Sequence, residues 1–360
     1  MFSPDLTETS SHLAGAFTQT LSVAGFARSA AQIRLSTLSP EPLWISPLRL
    51  RLAKLVRQGH IWEDEAPKIR ADILTPFVTY ASLIATTAQT LPALRADRAA
   101  VRGLLERLHG AAESCAAKTR DAATRLQGQL GALSMIEAEL RDSLSQARAG
   151  LAHEIRQVTA IAELVGALLD RLFALQDGIT APRIAAGTTF YQTPTTISFT
   201  LAGELGREMP FLTLTDTIHS TEGMAYDRIV SDPEVAEIID TLVARRTGTS
   251  ASGQAAAMSE AVTRMIRRLH LQVAGLSHCL PALDRTWRAE AAKLAAALRA
   301  LDGGADPATL IDLSTLPAAV GNWRALADLA HGCVTFPSQN ILPGKAVALT
   351  TEQPAPQTIF

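Results

Sequence analysis

The sequence predicts a mainly α protein: an elongated antiparallel helical bundle with a small β-hairpin/α head inserted in the middle of the chain. Three observations predict it. Ala and Leu dominate while aromatic residues make up only 5%, too few, with too few β-branched runs, for an ordinary α/β sheet core. Apolar residues recur on seven-residue registers on both sides of the middle. Between those two stretches the period changes from helical to alternating.

The elements follow in order. Residues 6–35 read as an amphipathic helix, with Leu13, Phe17, Leu21, Ala24 and Arg28 at helical spacing. Pro40, Pro42 and Pro47 forbid its continuation. Residues 48–60 read as a short helix with a basic face of Arg49, Arg51, Lys54 and Arg57, whose ordinary reading is a solvated surface. Pro67 and Pro76 then mark helix starts or kinks, and Glu63-Asp64-Glu65 suits a helix start, where the macrodipole favours acids.

Beyond Pro92 the heptad becomes regular. Leu126, Leu133, Leu140, Ala147, Ile161, Leu168 and Leu175 share one register; Leu130, Leu144, Leu151, Val158, Val165 and Leu172 share another, offset by four. Glu137 and Glu154 occupy two of the seam positions. An unbroken helix over 93–178 would be about 130 Å long, so a break is expected, with Gly128, Gly131 and Gly150 as the weak points. Residues 158–169 are the most apolar part and read as core. A second long helix starts near Gly253. Val262, Leu269, Leu276 and Leu283 share one of its registers; Ile266, Val273, Leu280, Trp287, Leu294 and Leu301 share the other. Pro281 should kink it and Gly303-Gly304 end it. Residues 100–178 and 254–301 are thus expected to face each other antiparallel. A last helix covers 308–332, and the Pro-dotted remainder reads as extended.

The domain division that results is a bundle of residues 1–178 and 253–335, a head of 179–252, and a tail of 336–360. In the head, Phe190, Tyr191, Ile197, Phe199 and Leu201 lie in one strand-forming run, and Phe211, Leu212 and Leu214 in a second, separated by the turn-like AGELGRE. No charge falls between Arg183 and Glu204. Ser231-Asp232-Pro233-Glu234 then opens a short helix. The uncharged Thr- and aromatic-rich run reads either as a membrane-facing tongue at the far end of the helical hairpin or as an ordinary hairpin packed on its own helix. The residues alone favour the latter, because the run is too polar to span a bilayer as a helix.

Chemistry is not written into the chain. It carries no GxSxG, HExxH, phosphate-binding loop or dinucleotide fingerprint. His270 and His278 lie eight residues apart and cannot by themselves chelate a metal. Cys115, Cys279 and Cys333 form neither a metal pattern nor a disulfide framework and read as small buried hydrophobes. A net charge of −2 gives no global pull on nucleic acid. The expectation is a protein that is no enzyme, with no cofactor, no metal, no small-molecule substrate and no nucleic-acid partner. The first residues lack a basic region before an apolar run, so no cleaved signal is expected.

Two stretches carry a family resemblance. HIWEDEAPKIRADILTPFVTY, with Trp62, Pro67, Ile69, Ile73 and Tyr80, and AAVGNWRALADLAHGC, with Trp323, Leu326 and Leu329, resemble segments of the α-helical pore-forming toxins of the cytolysin A superfamily. Within it the chain looks like the multi-component branch of haemolysin BL, non-haemolytic enterotoxin and motility-associated killing factor components; xenorhabdolysin-type binary toxins come second. The resemblance implies a soluble subunit, secreted without a cleaved signal. Its head would rearrange on a target-cell bilayer and join homologous subunits. The tongue would be Phe190, Tyr191, Ile197, Phe199, Leu201, Phe211, Leu212 and Leu214. The seam that closes the bundle would be Leu126, Leu133, Leu140, Leu144, Leu151, Leu269, Leu276, Leu283 and Trp287. One departure is the charge on the head at Glu204, Arg207, Glu208 and Asp216, which suits a component that inserts with partners. The rival is a structural coiled-coil scaffold that never touches lipid.

Overall fold

The computed structural model describes residues 2–31, 33, 41–176, 181–189, 191–201, 209–220, 228–229, 231–246, 248–274, 276–336 and 345–349. The protein is mainly α. Its helices are α1 (Leu6–Ala31), α2 (Ile45–Leu94), α3 (Arg98–Gly150), α4 (Ile155–Ala174), the short α5 (Ala181–Ala185), α6 (Pro233–Arg246), α7 (Ala251–Ala274), α8 (Leu276–Asp302), the single turn α9 (Pro307–Leu310) and α10 (Leu316–Thr335). Strands β1 (Tyr191–Leu201) and β2 (Met209–Ser220) fall between α5 and α6, and β3 (Lys345–Leu349) completes a sheet in the order β2-β1-β3.

The ion pairs fix the helix directions. Arg51 meets Asp142, Lys54 meets Glu139 and Arg125 meets Asp72: as numbers rise along α2 they fall along α3, so the two are antiparallel. In the same way Arg102 meets Asp302, Arg120 meets Asp284, and Arg148 meets Glu260, so α7 and α8 run back along α3. The basic face of 49–57 is largely consumed by these ties, with Arg49 on Glu41.

Several expectations are corrected. Residues 48–60 are no separate helix: α2 runs on for 50 residues, about 75 Å, through Pro67 and Pro76. Each interior proline removes one helical hydrogen bond at a cost of about 3 kcal/mol. The helix continues because Trp62, Ile69, Ile73, Leu74, Phe77 and Tyr80 on its inner face are all buried. Glu63-Asp64-Glu65 therefore lies inside a helix, and Glu65 is held by Lys68 and Arg125.

The second correction concerns the break after α3. It falls at Gly150, while Gly128 and Gly131 stay helical. It is a reversal, not a bend. The Glu154 carboxylate accepts from Ser250 N–H (3.1 Å) and Oγ (2.8 Å) at the start of α7, whereas Gly166 lies against Arg264 further along it. Helix α4 thus runs beside α7 in the same direction, and residues 155–174 do not extend α3 antiparallel to α7 and α8. The predicted second long helix is described as α7 and α8 on either side of residue 275, which lies outside the described residues, with Pro281 inside the second part. It ends as expected: Gly304 takes φ 95°, Gly304 N–H donates to Leu301 C=O and Ala305 N–H to Ala300 C=O. That is a left-handed helix stop of the Schellman type. The last helix is delayed to Leu316 by a turn capped by Asp312.

The core is continuous. At one level Phe77, Tyr80, Trp287 and Trp323 interlock, with Trp287 and Trp323 stacked at 5.3 Å. At another, every described residue from Gly253 to Thr263 is buried, which makes the first half of α7 the central rod. Its Ala255, Ala256, Ala257, Ser259 and Ala261 are small enough for α1, α3 and α4 to pack around it. Cys115 and Cys333 are buried in this core, and burial pushes their thiols up to about 11 and about 12.

Candidate functional site

The sequence places strand formers between α4 and α6, and the backbone there is an antiparallel β1–β2 ladder. Its register sets Ile197 opposite Leu214 and Phe199 opposite Leu212, hence on one face by the two-residue period. A register shift after Phe199 leaves Phe211 as the extra residue of a bulge. Phe190 lies outside the described residues, as do Glu204, Arg207 and Glu208. So do the side chains of Tyr191, Ile197, Phe199, Leu201, Phe211, Leu212, Leu214, Asp216 and Leu276.

The ladder's position follows from the reversal at Gly150. Because α4 turns back, the hairpin does not sit at the tip of the long helices. Strand β2 packs on α1 and β1 on α7, while α5 sets Ile184 against Gly332 of α10. The hairpin is folded onto the middle of the bundle.

Polar ties hold the elements that flank it. Arg171, near the end of α4, binds Asp232 through Nε–Oδ1 (3.1 Å) and Nη2–Oδ2 (2.6 Å), and its Nε also reaches Glu234 (3.1 Å). Asp232 in turn caps α6 by accepting from Val235 N–H at 3.0 Å. The Arg171 hydrogen bond is the main reason its carboxyl lies below the ordinary value. Nearby, Glu137 of α3 is buried yet charged. It accepts from Arg141 (2.7 Å) and Arg267 of α7 (2.9 Å) and lies 3.3 Å from His270 Nδ1. Burial pushes its carboxyl up, but the hydrogen bonds from Arg267 and Arg141 outweigh that and leave it lowered.

Of the seam residues, Leu126, Leu133, Leu140, Leu144, Leu151, Leu269, Leu283 and Trp287 are all buried. The apolar face of α4, namely Val158, Ile161, Ala162, Val165, Leu168, Leu169 and Leu172, is buried too. Sequence reasoning missed the Arg171–Asp232 tie and the partners of Glu137. An acid on an otherwise leucine register was the available signal for Glu137; nothing local pairs residues 171 and 232. Among the described residues no group of three or more His, Cys, Asp or Glu could hold a metal, and no helix is long and apolar enough to cross a membrane.

This arrangement, a long helical bundle with a strand hairpin inserted between two helices and folded back on it, is the fold of the soluble components of multi-component α-pore-forming toxins. The chain is similar over 97% of its length to motility associated killing factor B, the cytotoxin MakB of Vibrio cholerae, covering 98% of that chain at 24% identity and a TM-score of 0.90. It is also similar to SmhB of the tripartite α-pore-forming toxin Smh from Serratia marcescens (13% identity, 95% of each chain, TM-score 0.70). A third similarity is to AhlB of the tripartite toxin AHL from Aeromonas hydrophila (13% identity, 96% of each chain, TM-score 0.69). No family model matches the chain, and no curated protein matches it.

Proposed function

We propose that the chain is a subunit of a multi-component α-pore-forming toxin, a protein that acts by changing what it buries and not by catalysis. Residues 179–252 serve as the head, and 1–178 with 253–335 as the bundle that stores it. The observation that carries this reading is the hairpin folded onto α1 and α7 between two helices, α4 and α6, tied by Arg171 to Asp232 and Glu234. An apolar element held by its flanks can leave as a unit.

The energetics suit a switch. Apolar area is worth about 25 cal/mol per Å² when removed from water, so a few hundred Å² on the hairpin and the α4 face represent several kcal/mol. A bilayer or a second subunit can supply that burial in place of α1 and α7. The seam leucines of α3 and α7 then keep the long helices together while the head moves. The tongue residues Ile197, Phe199, Leu212 and Leu214 are the ones proposed to meet lipid. Homologous subunits and a target-cell bilayer are the proposed partners, and release from the producing cell the proposed localisation.

Flotation with liposomes and dye leakage, for the full chain alone and together with any helical proteins of similar length that neighbouring genes encode, test the reading. Lipid association that requires or is strengthened by those proteins is the expected result. A chain that stays free of lipid in every combination and assembles into rods instead is a coiled-coil scaffold.

A further inference from the structure

The residues ahead of α1 are held by specific side-chain donors. Phe2 is buried. Its C=O accepts from the indole Nε1 of Trp323 at 2.7 Å, and the Ser3 C=O accepts from Lys293 Nζ at 3.0 Å. Ser3 Oγ accepts from Asn322 Nδ2 at 2.7 Å. Lys293 also reaches Glu290 Oε2 (3.3 Å), and Glu290 Oε1 accepts from the Tyr80 hydroxyl (3.1 Å). Lys293 of α8 and Trp323 of α10 thus hold the backbone of residues 2 and 3, Asn322 of α10 holds the Ser3 hydroxyl, and Tyr80 of α2 supports Lys293 through Glu290.

Glu290 is 1% exposed, among Tyr80, Trp287 and Trp323. A buried carboxylate seldom repays its desolvation, and an apolar replacement of similar volume is often as stable or more so. What the set supplies is a specific seat for residues 2–3. Release of residues 2–3 would take the acceptors from Trp323 Nε1–H and Asn322 Nδ2–H, while Lys293 would keep Glu290.

What the seat holds is α1. That helix packs on α2, α7, α8 and α10 and is the surface on which β2 lies. Downstream, α1 is fixed by its close approach to Gly59, where an added Cβ would come within 2.8 Å of the Ala27 and Ala31 backbones. Its first half has the seat at one end.

We infer that residues 2–5 are a latch: docked between α8 and α10, they hold α1 closed over the hairpin, and their release loosens α1 and β2 together. The latch stands on these contacts alone; that its release favours lipid association rests on the toxin reading.

Hydrogen exchange of the full chain tests it. Phe2→Asp should raise amide exchange along α1 and β2 by about tenfold or more while the facing turns of α3 and α8 keep wild-type rates. Asn322→Ala, the milder variant and the deciding one if Phe2→Asp does not fold, should raise the same two segments by a smaller factor. An increase confined to the first turn of α1, with β2 unchanged, would overturn the latch and leave a local cap. Liposome flotation of the same variants separates the two proposals. Variants that open by exchange but float no better than wild type uphold the latch and count against the toxin reading.

Discussion

Arg171 and Asp232 form a two-point ion pair that closes the base of the inserted segment. One lies near the end of α4 and the other at the start of α6, and everything between them in sequence includes the hairpin. Arg171→Ala removes the pair and leaves the Asp232 cap on Val235 in place. The variant should keep its helix content while residues 177–230 become several-fold more susceptible to limited proteolysis, roughly as the opening equilibrium shifts. Unchanged cleavage would mean that packing alone holds the head.

The same carboxylates set a pH dependence. Asp232 and Glu137 lie below their ordinary values of 3.8 and 4.5 in the folded protein. Each therefore contributes stability that is fully present above the ordinary value and is lost as pH falls through the lowered one. Glu290 has the opposite sign: burial raises its carboxyl above 4.5, so its penalty is absent at low pH and grows as pH rises through the ordinary value. Acidification below the carboxylate range should thus loosen α4, α6 and the hairpin before the aromatic level of α2, α8 and α10. Exchange measured between pH 6 and pH 3, rates corrected for intrinsic chemistry, checks the order. Uniform loosening would contradict it.

Leu140 and Leu283 are both wholly buried. Each changed to Ala should destabilise the folded chain by about 2–5 kcal/mol, read as a lowered Tm. An unchanged midpoint for both would mean that the helix interfaces tolerate a cavity of that size.

Gly59 lets α1 meet α2. A Cβ there would lie 2.7 Å from Ala31 N and 2.8 Å from Ala27 O, and backbone cannot yield as a side chain can. Despite Ala's better helix propensity, Gly59→Ala should cost about 1–3 kcal/mol and raise exchange in the last turns of α1. A stabilised protein would show that α1 shifts freely.

Much of the fold was legible from periodicity, since buried faces of long helices repeat. The seam leucines and the stop at Gly303-Gly304 are cases of it. What misled was the assumption that a continuing heptad is a continuing helix. Ala147 and Ile161 share a register, yet the chain reverses between them, because Gly150 gives no side chain to pack and Glu154 finds Ser250. Prolines misled in the other direction: Pro67 and Pro76 are breakers locally, but the packing of Trp62 to Tyr80 overrides them. The ties of the candidate site were hidden for a different reason. Arg171 and Asp232, or Glu137 and Arg267, are far apart in sequence and belong to residue types common on any surface.

The central claim is that the hairpin must leave α7 for the protein to meet a membrane. A disulfide engineered between β1 and the facing turn of α7, in a background with Cys279→Ser, tests it most directly by liposome flotation under oxidising and reducing conditions. The account predicts that the locked protein folds normally, fails to associate with lipid or with its partner subunits on lipid, and recovers both on reduction. A locked protein that associates as well as the unlocked one would contradict it and leave the hairpin a fixed part of the bundle.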